Sequence, residues 1–185
     1  TIDYGPCAFM DKYNENTVFS SIDTFGRYSY KNQPLICQWN LAQLANCILP
    51  FLSDEKEKSI KIAQNEIDKY SEIYHNYFSK EIFKKLGFSC NIEDDNKLKD
   101  ELFDIMKRDE LDFTISFSNL YFELLNIDND LSEFTSKSRD FTKWISKWKL
   151  RLKKEKKSVN QIAENLKQFN PIVIPRNHLV EEGIK

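Results

Sequence analysis

The N-terminal stretch contains an aspartate in a setting that suits metal binding. Asp3 follows the apolar residue Ile2 and precedes Tyr4-Gly5-Pro6. A carboxylate at the end of a buried strand can ligate Mg²⁺ that bridges nucleotide phosphates, and a following glycine permits the sharp turn that aims the carboxylate. An Asp-x-Gly-Pro sequence is more often only a turn, so these residues by themselves favour the turn. Asp3 is therefore a candidate metal- and nucleotide-binding residue, with an ordinary turn as the alternative.

An acidic segment near the middle of the chain has part of the spacing of a calcium-binding loop. Asp128, Asp130 and Ser132 match the first three ligand positions of such a loop. Glu133 stands where the loop requires glycine, and Arg139 stands where it requires a bidentate glutamate. The sequence therefore favours an acidic loop that does not bind calcium.

Several other residues have a structural interpretation beside a chemical one. His75 and His178 have no second ligand or acid nearby in the sequence, so structural roles are predicted for both. The charged run 151–157 is predicted to be a solvated helix end, although it could meet phosphate or acidic partners. Arg27 could hold a phosphate or carboxylate, or could only tie its loop to the core. Helix packing is predicted for the three tryptophans, Trp39, Trp144 and Trp148.

The elements that carry these residues are predicted to be mainly α-helical. The chain has 185 residues but only 4 Gly and 5 Pro, which favours long uninterrupted elements. Its Lys-, Glu- and Leu-rich stretches favour helix over strand. Residues 1–34, with Pro6, Pro34 and many aromatic rings, are predicted to form a loop-rich stretch. Residues 35–185 are predicted to form a helical lobe.

Apolar spacing and helix-breaking residues divide this helical region. Pro50 is predicted to end the first helix, and Gly87 is predicted to cap the C-terminus of a single long second helix that starts at Ser53. Asn170-Pro171 is predicted to stop the last helix. A further helix is predicted to start at Asp94-Asp95-Asn96, and apolar residues at helical spacing continue through 98–106, 111–124, 141–152 and 162–169.

Charge and cysteine content limit the classes of function. With 27 basic and 29 acidic residues the net charge is -2, so nucleic-acid binding is disfavoured. The 4 cysteines fit neither a zinc pattern nor a dense disulfide framework, and reduced, mostly buried thiols in a cytoplasmic protein are predicted. Polar residues interrupt the longest apolar segment, 36–52, so no membrane span is predicted. The chain starts at Thr1 without an initiator methionine and is expected to be a piece of a longer protein.

Short motifs along the chain resemble those of one enzyme family. The first block comprises Asp3-Tyr4-Gly5-Pro6, Phe9-Met10-Asp11, Gly26-Arg27-Tyr28, Asn32-Gln33-Pro34 and Trp39-Asn40-Leu41. The later motifs are Leu44-Ala45, Leu86-Gly87, Asp112-Phe113-Thr114, Asn170-Pro171 and Arg176-Asn177-His178-Leu179. Together they resemble the selenoprotein O family, also called the YdiU family, over nearly the whole chain. The members of this family are kinase-like protein adenylyltransferases.

The resemblance implies a fold, an activity and a role for Asp3. It implies the helical C-terminal lobe of a protein-kinase-like fold, within a parent protein that transfers AMP from ATP to Ser, Thr or Tyr hydroxyls of protein substrates. Asp3 would bind the metal, Mg²⁺ or Mn²⁺, and the nucleotide. The family's glycine-rich loop, phosphate-binding Lys and Arg, catalytic Asp and metal-binding Asn would all precede Thr1. This chain is therefore expected to contain no catalytic residue and to be inactive by itself.

A non-catalytic helical module for protein interaction is the alternative function. The absence of the family's nucleotide-binding elements from the printed sequence supports it. Apolar surface that those elements would cover is expected to lie exposed and to promote self-association, with Phe9, Phe19 and Phe25 as the candidate residues.

Overall fold

A computed structural model describes residues 9–90, 92–128 and 138–184. Asp3 lies outside the described residues, and so do Asp130, Ser132 and Glu133 of the acidic segment. No β-strand occurs among the described residues, in which an isolated antiparallel bridge joins Lys12 and Asp112. The prediction of a mainly α-helical chain is confirmed.

The described residues form eight α-helices and two short 3-10 turns. The turns are Tyr30–Asn32 and Leu49–Phe51. The helices are α1 Gln33–Ile48, α2 Lys56–Asp68, α3 Tyr70–Lys85, α4 Asp95–Arg108, α5 Phe113–Leu125, α6 Arg139–Leu152, α7 Val159–Phe169 and α8 Asn177–Ile184. None of these helices is both long enough and apolar enough to cross a membrane.

The chain divides into two compact units. The described part of the first unit is residues 15–78, and the described part of the second is residues 9–14 with residues 79–90, 92–128 and 138–184. The boundary therefore falls within α3, after Phe78. The division predicted from the sequence, at residue 34, stays a prediction.

The second unit has a dense aromatic and aliphatic core. Helix α5 packs on α7, and α4 packs on α6. Both Trp144 and Trp148 are fully buried. The indole N–H of Trp144 donates to the Leu98 carbonyl at 2.8 Å, and that of Trp148 donates to the Leu86 carbonyl at 2.9 Å, so the buried N–H groups are satisfied. The other large, fully buried apolar side chains are Phe117, Phe141, Leu86, Leu102, Met106, Leu120 and Leu166.

Side-chain caps mark the start of three helices of this unit. Asp112, Ser138 and Ser158 each accept a hydrogen bond from a backbone N–H in the first turn of α5, α6 and α7, respectively. Ser158 and Gln161 complete a reciprocal capping box. The predicted start of α4 at Asp94-Asp95-Asn96 is confirmed.

The predicted single helix from Ser53 to Gly87 is wrong, because the structure has two helices there. Helix α2 ends at Asp68 and α3 begins at Tyr70. At this junction the Gln38 side-chain amide donates to the Ile67 carbonyl at 3.3 Å. A side chain inserted into the backbone hydrogen-bond ladder interrupts a helix, and the apolar spacing cannot reveal it.

The first unit is less deeply packed than expected. No residue of α1 is buried, and its apolar residues Leu35, Trp39 and Leu44 are 65%, 50% and 57% exposed. Helix packing is thus confirmed for Trp144 and Trp148, whereas Trp39 is half exposed. The prediction of mostly buried thiols is wrong for the described cysteines, because Cys47 and Cys90 are exposed and Cys37 is half-buried.

Candidate functional site

The metal-binding role of Asp3 stays a prediction, because Asp3 is outside the described residues. Within residues 9–90, 92–128 and 138–184, no group of three or more His, Cys, Asp and Glu side chains could hold a metal ion. The described residues therefore do not supply a metal site among themselves. Two other arrangements in this part of the chain bring together residues from separate sequence motifs.

The first arrangement is an ion-pair cluster in the second unit. The Nη1 of Arg176 donates to the Asp112 carboxylate at 2.7 Å and also to the Asp11 carboxylate. Arg176 is separated from Asp11 by 165 positions and from Asp112 by 64. We call Asp11, Asp112 and Arg176 the arginine clamp. The clamp joins three motifs that are far apart in the sequence.

Backbone hydrogen bonds hold the two acidic residues of the clamp together. The Phe113 N–H donates to the Asp11 carbonyl at 2.7 Å, and the Tyr13 N–H donates to the Leu111 carbonyl at 2.8 Å. The Asp112 side chain also accepts from the Ile115 N–H at 2.8 Å and so caps α5. The segment that carries Asp11 is thereby fixed to the start of α5.

Electrostatics indicate a structural role for the clamp. The hydrogen bond to Asp112 raises the pKa of Arg176 above its ordinary value, against the opposing effect of partial burial. One guanidinium faces two carboxylates, so neither carboxylate is left as an unpaired acid or base. His178 Nδ1 lies 3.9 Å from Asp11 Oδ2. Asp11 is thus an acid close to His178 in space although it is far away in the chain, and the structural role of His178 stays a prediction.

A second pair of motifs also meets in this unit. The Lys85 ammonium donates to the Phe169 carbonyl at 3.0 Å and to the Asn170 side chain at 3.3 Å, and the Asn170 amide donates back to the Lys85 carbonyl at 2.8 Å. Burial lowers the pKa of Lys85. These bonds fix the end of α3, just before Leu86-Gly87, to the end of α7 at Asn170-Pro171.

The charged run 151–157 contains a buried network, which corrects the prediction of a solvated helix end. Arg151 donates to both oxygens of Asp95, at 2.5 and 2.8 Å, and to Glu155 at 2.8 Å. Arg151 and Glu155 are buried, whereas Lys153, Lys154, Lys156 and Lys157 are exposed as predicted. The signal that could have found the network is the four-residue spacing of Arg151 and Glu155 on one helical face.

The second arrangement lies in the first unit and is centred on Arg27. Its guanidinium carbon lies 4.8 Å from the centroid of the Trp39 ring and 5.7 Å from that of the Tyr28 ring. Both carboxylate oxygens of Asp23 accept backbone N–H groups, from Arg27 at 2.9 Å and from Tyr28 at 2.7 Å. The sequence left open whether Arg27 holds an anion or ties its loop to the core. Asp23 makes the loop-fixing hydrogen bonds, and the guanidinium stacks on Trp39.

Comparisons with known proteins agree over the full length of the chain. The profile of the family described as "Protein adenylyltransferase SelO" matches residues 1–185. A "Protein nucleotidyltransferase YdiU" of Bacillus mycoides is 45% identical over 186 residues, which is 100% of this chain and 37% of that protein. A protein of the same name from Clostridium beijerinckii is 46% identical over 184 residues, 100% of this chain and 36% of that protein. The chain thus spans little more than a third of the length of these relatives.

Proposed function

Because the chain belongs to the SelO family of protein adenylyltransferases, we propose that it is part of an enzyme that transfers AMP from ATP to protein hydroxyl groups. The observation that carries this proposal is the family match over residues 1–185. The names of the relatives, which describe protein nucleotidyltransferases, support the same class of reaction.

In the proposed reaction, a Ser, Thr or Tyr hydroxyl of a protein substrate attacks the α-phosphorus of ATP. A bond forms between the hydroxyl oxygen and the α-phosphorus, and the bond from that phosphorus to the oxygen bridging it to the β-phosphate breaks. The hydroxyl proton passes to a base, and pyrophosphate leaves. We propose that the base and the residues that cradle ATP belong to other parts of the complete protein, and that this chain by itself is inactive.

Asp3 is the residue of this chain that we propose for binding ATP and the divalent metal, Mg²⁺ or Mn²⁺. Its support is the Asp3-Tyr4-Gly5-Pro6 motif, since carboxylate oxygens are preferred ligands of Mg²⁺. The described acidic residues offer no competing metal site, because the clamp carboxylates already pair with Arg176.

The proposal is tested by substituting Asp3 in the complete protein. Asp3→Ala is expected to lower AMP transfer by several orders of magnitude, because the carboxylate proposed to hold the metal against the ATP phosphates is lost. Asp3→Asn keeps the size and one oxygen but removes the charge, and a large loss is expected for it too. Incorporation of AMP into a protein substrate is measured by mass shift or radiolabel, with a thermal melt to check the fold.

Asp104→Ala is the matched control, because Asp104 is an exposed aspartate on α4. It is expected to leave AMP transfer unchanged. Near-parental transfer by Asp3→Ala, with unchanged dependence on Mg²⁺, would show that Asp3 is only a turn residue. Absence of AMP transfer by the parental protein under all metal conditions would contradict the proposed function itself.

A helical interaction module is the second candidate, and the exposed apolar side of α1 favours it. Soluble monomers rarely expose contiguous apolar surface that has no partner. The two candidates are distinguished by ATP: an interaction module binds its partner without consuming nucleotide, whereas the enzyme leaves AMP covalently attached to the partner.

A further inference from the structure

We propose that Arg176 is a positioning residue, which holds in place the segment that leads back to Asp3 and so favours the binding of ATP and the divalent metal there. The inference rests on the proposed function and deepens it, because it gives a side chain at the far end of the chain a role at that site. We call residues 9–14 the anchor segment. They belong to the second unit, and Asp3 precedes them in the chain.

The anchor segment is packed into the second unit by its apolar side chains. Met10 and Tyr13 are both buried. The centroid of the Tyr13 ring lies 5.1 Å from that of Phe103 and 6.0 Å from that of Phe113. Two backbone hydrogen bonds also join the segment to the start of α5. The anchor segment is therefore the fixed point from which the chain runs back to Asp3.

Arg176 strengthens this attachment from the C-terminal part of the chain. Its Nη1 donates to Asp11 in the anchor segment and, at 2.7 Å, to Asp112 at the start of α5. The backbone around Arg176 is held as well, because Ile174 is buried and the Arg176 carbonyl accepts from the Val180 N–H at 3.0 Å. A guanidinium on a fixed backbone loses less conformational entropy when it holds its partners.

The clamp acts through position, because its groups are engaged with one another. Asp11 and Asp112 share one cation, and an arginine side chain stays protonated in proteins. In the part of the chain that the structure describes, acidic, His and Cys side chains form no cluster that could hold a metal. A displacement of about 1 Å at a reacting group can cost on the order of a hundredfold in rate. Loosening the anchor segment is therefore expected to weaken the binding that Asp3 is proposed to provide.

The bonding pattern predicts which substitution preserves part of the effect. A single nitrogen, Nη1, makes both bonds of the clamp. A lysine ammonium also carries several donors on one nitrogen, whereas methionine has a similar length and no donor. Arg176→Lys is therefore expected to retain part of the parental behaviour, and Arg176→Met is expected to lose it.

The first experiment measures hydrogen exchange in the complete protein. In Arg176→Met, the amides of Tyr13 and Phe113 are expected to exchange about tenfold faster, because local opening of the anchor segment becomes easier. The amides of Leu102 and Ile105, which are buried residues of α4, are expected to keep their parental rates. Unchanged exchange at Tyr13 and Phe113 would overturn the proposal, because Arg176 would then not hold the segment.

The second experiment measures AMP transfer by the complete protein as a function of Mg²⁺ concentration. Arg176→Met is expected to raise the Mg²⁺ concentration for half-maximal rate about tenfold, with Arg176→Lys between it and the parental protein. A purely structural role would reduce the amount of folded protein and lower the rate equally at every Mg²⁺ concentration. An unchanged Mg²⁺ dependence would therefore overturn the proposal, even if the melting temperature fell.

Arg108→Met is the matched control. Arg108 also lies between two aspartates of the second unit, with Asp109 at 2.7 Å and Asp140 at 2.8 Å, but neither aspartate belongs to the anchor segment. Its loss is expected to leave the Mg²⁺ dependence unchanged. If Arg176→Met does not fold, Asp11→Asn tests the same contact, because it keeps the pair of Arg176 with Asp112. A smaller shift in the same direction is expected for it, and no shift would overturn the proposal.

A measurement without transfer keeps this inference separate from the proposed function. An ATP analogue with a methylene group between the α- and β-phosphorus cannot donate AMP, and calorimetry measures its binding at several Mg²⁺ concentrations. Weaker binding by Arg176→Met, with no AMP transfer by the parental protein under any metal condition, would retain the positioning role and contradict the proposed function. AMP transfer with the same Mg²⁺ dependence in every variant would retain the function and overturn the positioning role.

Discussion

In the second unit, one arginine side chain organises a buried polar network. Arg151 binds Asp95 and Glu155, donates to the Cys90 carbonyl at 2.7 Å and covers the Phe88 ring at 4.3 Å. Burial by itself would lower the pKa of Arg151, but the hydrogen bonds to Asp95 and Glu155 raise it above the ordinary value. Because the partners are buried, removing one of them leaves an uncompensated charge or donor.

At the scale of single residues, we predict that Glu155→Gln lowers the stability of the protein in a pH-dependent way. Burial raises the pKa of Glu155, but hydrogen bonds from Ser89 and Arg151 outweigh it and hold the pKa below 4.5. A carboxylate whose pKa is lowered by folding stabilises the folded state above its unfolded pKa, and this contribution is lost as the pH falls through the folded pKa. The variant is expected to be about 2 kcal/mol less stable at neutral pH, with the difference shrinking below about pH 4.5.

Urea denaturation of the parental protein and the variant at several pH values measures this difference. Glu110→Gln is the control, because Glu110 is exposed and its partner Lys12 is exposed too. It should change stability little. If the free-energy difference for Glu155→Gln did not vary with pH, the carboxylate charge would not be the source of the stabilisation.

At the scale of elements, helix ends were predictable where a local side chain or glycine determines them. Gly87 has φ +77°, the Phe88 N–H donates to the Phe83 carbonyl at 2.9 Å, and the Gly87 N–H donates to the Lys84 carbonyl at 3.0 Å. This pair of bonds is a Schellman motif, and the Phe83 and Phe88 rings pack beside it. The predicted glycine cap is confirmed.

Elements that depend on distant partners were not predictable. The break between α2 and α3 involves Gln38, which lies in another helix. Helix α8, Asn177–Ile184, was missed, because it is short and follows the predicted stop at Asn170-Pro171. Its start is next to Arg176, whose partners are far away along the chain.

For the end of α3, we predict that Gly87→Ala destabilises the protein. A Cβ at this position would lie 3.0 Å from Ile162 Cγ2 and 3.2 Å from Leu166 Cδ2, and the positive φ disfavours any L side chain. The substitution is expected to destabilise the protein by about 2 kcal/mol. Thermal or urea unfolding measures the loss.

Substitutions at two other glycines separate the two causes of that loss, backbone strain and crowding of the added Cβ. Gly26 also has a positive φ, +66°, but its nearest neighbour would be 3.7 Å from a Cβ, so Gly26→Ala tests backbone strain with little crowding. Gly183 lies in α8 with nothing within 4 Å, and Gly183→Ala should be neutral or slightly stabilising. Equal losses at Gly87 and Gly183 would contradict the explanation.

At the scale of the whole molecule, the sequence could not reveal which motifs meet. Asp11, Asp112 and Arg176 each stood in a motif of their own, and no spacing rule connects residues separated by 165 positions. The Arg27–Trp39 stack was similarly hidden, because its members belong to a loop and a helix. Local periodicity determines helices, whereas the candidate sites depend on packing between distant segments.

The last prediction concerns the apolar surface of the first unit. Of the three phenylalanines expected to be exposed, Phe25 in the first unit is 97% exposed, whereas Phe19 in the same unit is half-buried and therefore less exposed than expected. The third, Phe9, is 41% exposed but belongs to the second unit. Leu44 adds exposed apolar area on α1. Because burying such area lowers the free energy by about 25 cal/mol per Å², a solution of this 185-residue chain is expected to self-associate as its concentration rises.

Light scattering over a range of concentrations measures this association. Phe25→Ser combined with Leu44→Gln is expected to reduce the average mass toward that of a monomer, because the apolar area available for pairing falls. Leu150→Gln is the matched control, since Leu150 is also exposed but lies on α6 in the second unit. If all three proteins scattered as monomers at every concentration, the exposed surface would be too small or too divided to drive association. If Leu150→Gln reduced the mass as much as the double variant, association would not be specific to the first unit.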